Sequence, residues 1–256
     1  LVAAQAGLAI WPIRLGTCAL SLWVALPFLG ARTQVVTLLG VAVVLVLLDR
    51  LRHGARWIIW ILPPLFLLWA NLHGGFTAGL FLLAVAVGLN WCIVMVSSTW
   101  PDVFRRFDEV HLPSADLWRL TLATGLAGLV TLLNPYGWRL HQEIFDSLAN
   151  QFMVETLQEW QPPSLETLAG RLFGIYVGGL TIAAMLWYRR FEPVRMGLVV
   201  AFLFAACRHL RNIPLFLIVS LPLAVELLQI GFDRFASILR LRQRRSAQWA
   251  MGMTAA

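Results

Sequence analysis

The sequence predicts an all-α protein, a polytopic transmembrane helical bundle with about eight complete spans plus a partial N-terminal one. Three observations lead to this prediction. Hydrophobic residues make up 59% of the 256 positions and charged residues 13%, against roughly 45–50% and about 25% in a soluble domain. Apolar runs of about 15 to 22 residues recur along the whole chain, close to the roughly 20 residues that a helix needs to cross the hydrocarbon. The basic residues concentrate in alternate loops between these runs.

The predicted spans are apolar runs bounded by charged residues, glycines or prolines. The stretch at 1–11 is too short to cross, and the chain begins with Leu1 rather than Met, so we expect a fragment whose preceding helices are missing. Eight longer runs follow, at 15–30, 35–48, 57–70, 76–96, 117–133, 172–188, 196–207 and 213–230. Prolines inside them are tolerated, because neighbouring helices can satisfy the freed carbonyls. Together the runs predict a transmembrane domain over residues 1–231.

The distribution of arginine predicts the orientation in the membrane. All twenty basic residues are arginines, and when alternate connections are assigned to one side, that side collects fifteen of them and the other side five. Short loops rich in basic residues stay in the cytoplasm. The pattern therefore predicts a multi-pass protein of the plasma (inner) membrane with a cytoplasmic C-terminus.

The tail at 232–256 is a separate, basic segment. It places Phe235, Ile238 and Leu239 among five arginines, which is typical of an amphipathic stretch that lies on anionic cytoplasmic lipid. A simple topology anchor is the alternative. Membrane lipids are the expected partners, and nucleic acid is not expected despite the formal charge of +7, because the arginines lie in short loops between apolar runs.

Polar residues that are unusual in a span collect at the predicted extracytoplasmic face. Asn71 and His73 lie in the tight turn that follows the run at 57–70. The second set follows the shortest run and comprises Arg208, His209, Arg211 and Asn212. Both runs are shorter than the roughly 20 residues that a crossing requires, so we expect these side chains to lie at or below the outer interface. Arginine there is costly unless it snorkels or faces a wet cavity or an anion, and we interpret both arginines as cavity-facing. Snorkelling of the arginines and a hydrogen-bonded turn role for His73 are the alternatives.

The long outer connection at 134–171 contains the carboxylates of that face. It opens with a turn sequence that includes Asn134 and Tyr136. A four-residue spacing then predicts an interfacial helix, with one face formed by Leu140, Ile144, Leu148 and Phe152. Trp138 and Trp160 suit the headgroup boundary. Acid or base chemistry by this fragment at the outer face must draw on Glu143, Asp146, Glu155, Glu159 and Glu166, although each of them, taken singly, also suits a solvated surface.

These residues indicate a cationic recess beside lipid. Arginine holds phosphate through paired, charge-assisted hydrogen bonds, so the recess suits a phosphate or pyrophosphate headgroup. A nearby carboxylate would then take a proton from an acceptor hydroxyl. No metal site is predicted, since CxxC motifs and His/Cys ligand spacings are missing from the sequence and the three cysteines read as small buried apolar residues.

Four phrases resemble a group of bacterial polytopic membrane proteins that is similar to the C-type glycosyltransferase superfamily. They are Trp69 to Phe76 (WANLHGGF), Asn134 to Gly137 (NPYG), Glu159 to Pro162 (EWQP) and Arg211 to Pro214 (RNIP). The resemblance implies a helical enzyme that uses a polyprenyl-phosphate-linked sugar, with its site at the extracytoplasmic face. In that superfamily the catalytic acidic residue usually lies in the first outer loop, and here the loop at 31–33 has no carboxylate. Either the catalytic loop lies upstream of Leu1, or the comparison fails.

The resemblance also implies roles for the polar residues. Arg208, Arg211 and His209 would bind the phosphate of the donor. Side chains that would shape the cavity are Asn71, His73, Asn134, Tyr136 and Asn212. Glu159 or Glu155 would act at the acceptor or hold a divalent metal ion. Such an ion is the one cofactor whose presence the sequence leaves undecided.

Two other classes of function stay open. A transporter or flippase for a lipid or polar solute would also use ionisable residues within the membrane, but we find no internal repeat and the polar residues crowd one end of the bundle. A non-catalytic membrane scaffold is the third class, and it would tolerate substitution of the outer polar residues.

Overall fold

The computed structural model describes residues 2–25, 34–99, 112–187 and 192–253, which form helices joined by short turns, without a β-strand. The all-α prediction is confirmed. Numbered along the chain, the α-helices are α1 Val2–Ala25, α2 Gln34–Arg52, α3 Leu62–Leu72, α4 Phe76–Thr99, α5 Ser114–Val130, α6 Trp138–Ala149, α7 Gln151–Thr156, α8 Leu168–Trp187, α9 Pro193–Arg208 and α10 Ile213–Met253. Short 3₁₀ helices lie at Arg56–Ile61, Gln158–Trp160 and Leu210–Asn212.

The number of helices able to span a membrane is smaller than the sequence predicts. Within the described residues, four segments are long and apolar enough: Gln34–Arg52, Phe76–Thr99, Leu168–Trp187 and Leu210–Phe235. The count of about eight complete spans is therefore not supported. The runs at 57–70, 117–133 and 196–207 contain α-helices of 11, 17 and 16 residues. At 1.5 Å per residue, even 17 residues cover only about 25 Å of a roughly 30 Å hydrocarbon core.

Helix breakers explain the short helix in the run at 57–70. The run at 57–70 begins as the 3₁₀ helix Arg56–Ile61, and α3 starts only at Leu62, with prolines in its first turn. Proline favours that position because it lacks an N–H and clashes with the preceding turn. Hydropathy alone therefore overestimates the length of this helix. The run at 15–30 extends beyond Ala25, and residues 26–33, with the predicted first outer loop, lie outside the described residues.

Helices α4 and α10 occupy the centre of the bundle. Helix α4 packs against α2, α5 and α9, while α10 packs against α1, α2, α8 and α9. Fully buried side chains at these contacts include Phe76 at the start of α4 and Phe216 in the first turn of α10. Both helices therefore begin next to the turns that contain the predicted site residues.

One tryptophan is wedged between two helices at glycine positions. The Trp69 side chain of α3 is buried and lies so close to Gly40 of α2 and Gly79 of α4 that an added Cβ would be 2.5 and 2.6 Å from its ring atoms. Small residues permit such close approach between helices in a membrane. Trp69 also packs on Phe66, with ring centroids 5.3 Å apart. This contact fixes the end of α3 and therefore the position of the turn that contains His73.

Charged side chains pair at one end of the bundle. Arg52 at the end of α2 forms a close ion pair with Glu192. Arg195 in the first turn of α9 approaches Glu192 to 3.6 Å and Glu226 of α10 to 2.9 Å. The network therefore connects three helices through charges that are partly buried.

A second ionic cluster lies at the same end. Asp116 in the first turn of α5 accepts hydrogen bonds from Arg56 at 3.0 Å and from Arg119 at 2.6 Å, and its side chain is only 5% exposed. The arginines of both clusters belong to the set predicted to face the cytoplasm. The structure thus gathers them at one end, while the membrane side on which this end lies stays a prediction.

The C-terminal helix continues across the predicted domain boundary. Helix α10 runs without a break from Ile213 to Met253, so residues 231 and 232 are not separated by a turn. The side chains of Ile238 and Leu239, on which the amphipathic prediction depends, lie outside the described ones. The cysteines differ from expectation, because all three are exposed on helix surfaces rather than buried.

The wedge at Trp69 is tested by Gly79→Ala, which is expected to destabilise the fold. The new methyl group would lie within 3 Å of both Trp69 and Phe66, and overpacking a close-packed core typically costs about 1–3 kcal/mol. Gly88→Ala on the same helix is the matched control, because nothing lies within 4 Å of its added Cβ. Thermal unfolding in detergent should show a lower midpoint for Gly79→Ala alone, and equal midpoints for the two variants would contradict the wedge.

Candidate functional site

A cavity of about 120 Å³ with apolar walls and several polar side chains lies at the end of the bundle opposite the ionic clusters. Five segments that are distant in sequence line it: the start of α2, the turn between α3 and α4, Leu148 of α6, the Gln158–Trp160 turn and the Leu210–Asn212 turn. Its polar lining includes Gln34, Thr37, His73, His209, Arg211 and Asn212. The last four of these were predicted as site residues from the sequence, and the cavity brings them together.

The hydrogen bonds of His73 fix its neutral tautomer. Its Nδ1 accepts the backbone N–H of Gly75 at 2.9 Å and lies 2.9 Å from the hydroxyl oxygen of Thr37 on α2. A backbone N–H can only donate, so Nδ1 must be unprotonated and Nε2 carries the hydrogen of the neutral ring. His73 therefore contributes an N–H donor on Nε2.

The contact between Thr37 and His73 requires a glycine at position 75. A Cβ on Gly75 would lie 1.8 Å from the hydroxyl oxygen of Thr37 and 2.7 Å from Nδ1 of His73, which is far inside van der Waals contact. The glycine thus allows the turn to approach α2 closely. This accounts for the second glycine of the Gly74-Gly75 pair.

His209 has the opposite tautomer. Its Nδ1 lies 2.5 Å from the backbone carbonyl oxygen of Trp160, which can only accept, so Nδ1 carries the hydrogen. In the neutral ring Nε2 is then an unprotonated acceptor. The neighbouring N–H of Leu210 donates to the carbonyl of Gln161 at 2.9 Å. These two bonds attach the Gln158–Trp160 turn to the turn that precedes α10.

Arg211 lies over the face of Trp160. The centre of its guanidinium is 4.4 Å from the ring centroid, the geometry of a cation–π contact. Trp160 itself is 5% exposed, so its assignment to an interfacial aromatic belt is wrong, because the ring is enclosed by Arg211 and His209. Trp138, at 66% exposed, remains compatible with such a belt.

Arg208 does not line the cavity, although it is only three residues from Arg211. It is exposed, and its guanidinium lies 5.2 Å from the ring centroid of Phe204 on its own helix. Asn212 lines the cavity, but its side-chain N–H₂ donates to the carbonyl of Ala205 at 3.0 Å and so caps the end of α9. The two arginines predicted to act together therefore have different surroundings.

Asn71, Asn134 and Tyr136 lie outside the cavity wall. The amide of Asn71 donates to the carbonyls of Leu67 and Leu133, at 2.8 and 3.1 Å, and so ties α3 to the residues after α5. Asn134 donates to two carbonyls of its own turn, while its side-chain oxygen accepts the N–H of Tyr136 at 2.7 Å. Tyr136 is 71% exposed. The structure gives both asparagines a structural role in turns.

The two predicted catalytic carboxylates also lie outside the cavity wall. Glu155 is exposed, Glu159 is half-buried, and Glu159 interacts electrostatically with Arg211. In the described part of the chain, groups of three or more His, Cys, Asp or Glu side chains that could hold a metal ion are not found. The position of Glu159 favours a role in balancing the charge of Arg211.

The amphipathic segment of the connection at 134–171 is helical where the spacing predicts it, but over two helices rather than one. Helix α6 ends at Ala149, so Phe152 lies on the next helix, α7. Leu140 and Ile144 pack against the core, and Leu148 reaches the cavity. This helix therefore contributes an apolar wall to the site, while its placement on the outer leaflet stays a prediction.

Sequence reasoning missed the two residues of α2. Gln34 lies just before the predicted run at 35–48, and Thr37 lies inside it, where a threonine is readily accommodated by a backbone carbonyl of its own helix. Thr37 is buried and its hydroxyl is used by His73. A polar residue one turn into an apolar run is a weak signal, and it becomes informative only once the partner histidine is located.

Neither a protein-family model, nor a curated protein, nor a solved structure matches this chain. The resemblance to C-type glycosyltransferases is therefore untested and stays a prediction. The function is therefore inferred from the cavity itself.

The tautomer of His73 predicts that acid destabilises the protein. Burial, and secondly the positive charge of Arg211, lower the pKa of His73 from its ordinary value, and protonation of Nδ1 would also oppose the N–H of Gly75. A histidine with a folded-state pKa below the unfolded value of about 6.5 contributes stability that is lost as the pH falls below that value. The thermal midpoint should therefore fall between about pH 7 and pH 5.

His73→Asn isolates this effect, because the side-chain oxygen of asparagine can accept the Gly75 N–H but does not titrate. The variant should lose less stability than the parent protein over the same pH range. Equal losses would show that His73 is not held neutral.

Proposed function

We propose that this chain is part of a membrane glycosyltransferase that uses a polyprenyl-phosphate-linked sugar, and that the cavity holds the phosphate of this donor. The observation that carries the proposal is the convergence of Arg211 and His73 on one cavity. Both present N–H donors, and guanidinium and imidazole N–H groups are well suited to phosphate oxygens. The cavity volume of about 120 Å³ is sufficient for a phosphate group, whose lipid and sugar parts would extend outside.

The balance of charge supports an anionic ligand. Arg211 is the only formally charged side chain among the described residues that line the cavity. His73 and His209 can both be neutral in the cavity wall, because Nδ1 of each ring forms a hydrogen bond with a neutral backbone group. Glu159 compensates part of the charge of Arg211 from outside the wall. The site is therefore cationic at its centre, with hydrogen-bond donors around it.

The position of the cavity along α2 supports a ligand that is held in a membrane. Thr37 at the cavity and Arg52 in the ionic network are 15 residues apart in α2, about 22 Å along the axis at 1.5 Å per residue. This is less than the roughly 30 Å of hydrocarbon, and tilt of the helix would shorten it further. When α2 crosses the membrane, at least one of the two polar sites must lie below the interface, where a lipid-linked headgroup can reach it.

The proposal includes a topology. Helix α1 and the shorter helices α3, α5 and α9, together with their turns, would complete a bundle of about eight crossings in the plasma (inner) membrane. The cavity would face the extracytoplasmic side and the C-terminus the cytoplasm. The fifteen-to-five division of the arginines supports this orientation, and the ionic clusters lie at the end that it assigns to the cytoplasm.

Binding of a polyprenyl phosphate to the full chain in lipid nanodiscs tests the proposal. Arg211→Ala should weaken binding by about 10-fold or more, since a hydrogen bond to a charged group contributes about 1.5–3 kcal/mol. The matched control is Arg208→Ala, which removes the same charge three residues earlier, at the end of α9 and outside the cavity. It should change the affinity by less than about 3-fold, because exposed charges contribute little.

Two outcomes would contradict the assignment. Equal losses for both variants would indicate a diffuse electrostatic effect rather than a site. Unchanged binding in Arg211→Ala, with the uncharged polyprenol bound as well as the phosphate, would show that the cavity does not hold the phosphate.

A further inference from the structure

We infer that His209 is the general base of the reaction, accepting the proton of an acceptor hydroxyl on Nε2. This inference rests on the proposed function and replaces the carboxylates that the sequence suggests for the role. It derives from the opposite tautomers of the two histidines in one cavity. His73 presents a donor and His209 an acceptor, so the cavity offers complementary groups to two different parts of a reaction.

The tautomer of His209 is imposed by the backbone. The carbonyl oxygen of Trp160, 2.5 Å from Nδ1, can only accept a hydrogen bond. The hydrogen therefore stays on Nδ1, and the lone pair stays on Nε2. Within the described residues, Nε2 of His209 has no hydrogen-bond partner, and the ring forms part of the cavity wall. When one imidazole nitrogen donates to a fixed acceptor, the ring is oriented and its other nitrogen is available to accept a proton.

His73 cannot perform the same task. Its lone pair is on Nδ1, where it is used by the N–H of Gly75 and faces the hydroxyl of Thr37. To act as a base through Nε2 it would need to change tautomer and leave the Gly75 N–H without an acceptor. His73 therefore remains a donor to the phosphate.

The carboxylates are less suitable by position. Glu155 and Glu159 both lie outside the cavity wall, and Glu159 interacts with Arg211. A base must come within hydrogen-bonding distance of the proton that it removes, about 2.6–3.2 Å between heavy atoms. Among the described residues of the wall, His209 is the group with an available lone pair on a titratable side chain.

The transfer step can be written with this base. The O–H proton of an acceptor alcohol moves to Nε2 of His209 as its oxygen forms a bond to the anomeric carbon of the sugar. The bond from that carbon to the phosphate oxygen breaks, and the phosphate leaves with the electron pair. Arg211 and Nε2–H of His73 stabilise the departing anion, and the imidazolium of His209 then releases its proton to water.

Nitrogen NMR of histidine-labelled full chain in nanodiscs tests the tautomers directly. At neutral pH we expect hydrogen on Nδ1 of His209 and on Nε2 of His73. The spectra of His209→Asn and His73→Asn assign the signals to the two rings. Asparagine at 209 can keep a side-chain N–H for the Trp160 carbonyl, so the variant preserves the turn while it removes the base. A His209 ring with hydrogen on Nε2 would overturn the inference and leave the phosphate site standing.

Chemical modification tests access to the lone pair. Diethyl pyrocarbonate acylates unprotonated imidazole nitrogens, and mass spectrometry locates the product. His209 should react about 10-fold faster than His73, whose lone pair must first lose a hydrogen bond of about 1–1.5 kcal/mol. Reaction of His73 at the same rate or faster would contradict the assignment of the base.

Addition of a polyprenyl phosphate separates this inference from the proposed function. The ligand should slow acylation of His209 at least about 5-fold, as expected when most sites are occupied, whereas the uncharged polyprenol should not. Equal effects of phosphate and alcohol would contradict the phosphate site while the tautomer measurement still stands. A slow reaction of His209 without ligand would contradict the base alone.

Discussion

The site depends on the attachment of one turn to another. The N–H of Leu210 and Nδ1–H of His209 donate to the consecutive carbonyls of Gln161 and Trp160, and the Arg211 guanidinium covers the Trp160 ring. These contacts hold a segment of the long connection at 134–171 against the start of α10. They also orient the imidazole and the guanidinium that line the cavity. Together with the packing of α9 on α4, this attachment fixes the polar residues before α10 relative to those of the α3–α4 turn.

A second constraint is the placement of charge in a largely apolar bundle. At one end Arg52, Arg195 and their carboxylate partners neutralise each other, as buried charges must. At the other end Arg211 lies on an aromatic face, and among the described residues Glu159 is the carboxylate that interacts with it. In the first arrangement the charges are paired within the protein, which suits a structural role. The second leaves donors directed at a cavity, and this difference is the reason to place the ligand there.

The sequence predicted the helical class and the grouping of His73, His209, Arg211 and Asn212 because both follow from local signals, namely apolar runs and polar residues at their ends. It overestimated the spans because hydropathy does not show that Pro63 and Pro64 delay the start of α3. It could not separate Arg208 from Arg211, since the difference lies in which ring each one contacts. Tertiary contacts likewise decide the burial of Trp160 and the hydrogen bond between the Thr37 hydroxyl and His73.

The central claim is that the cavity and the ionic clusters lie on opposite sides of a membrane. Single cysteines at exposed positions Asn71, Arg208 and His53, in a chain whose native cysteines are replaced by serine, test it most directly. A membrane-impermeant maleimide should label the first two in intact spheroplasts and the third only after lysis. Labelling of Asn71→Cys and Arg208→Cys from different sides, or of all three from one side, would contradict the account.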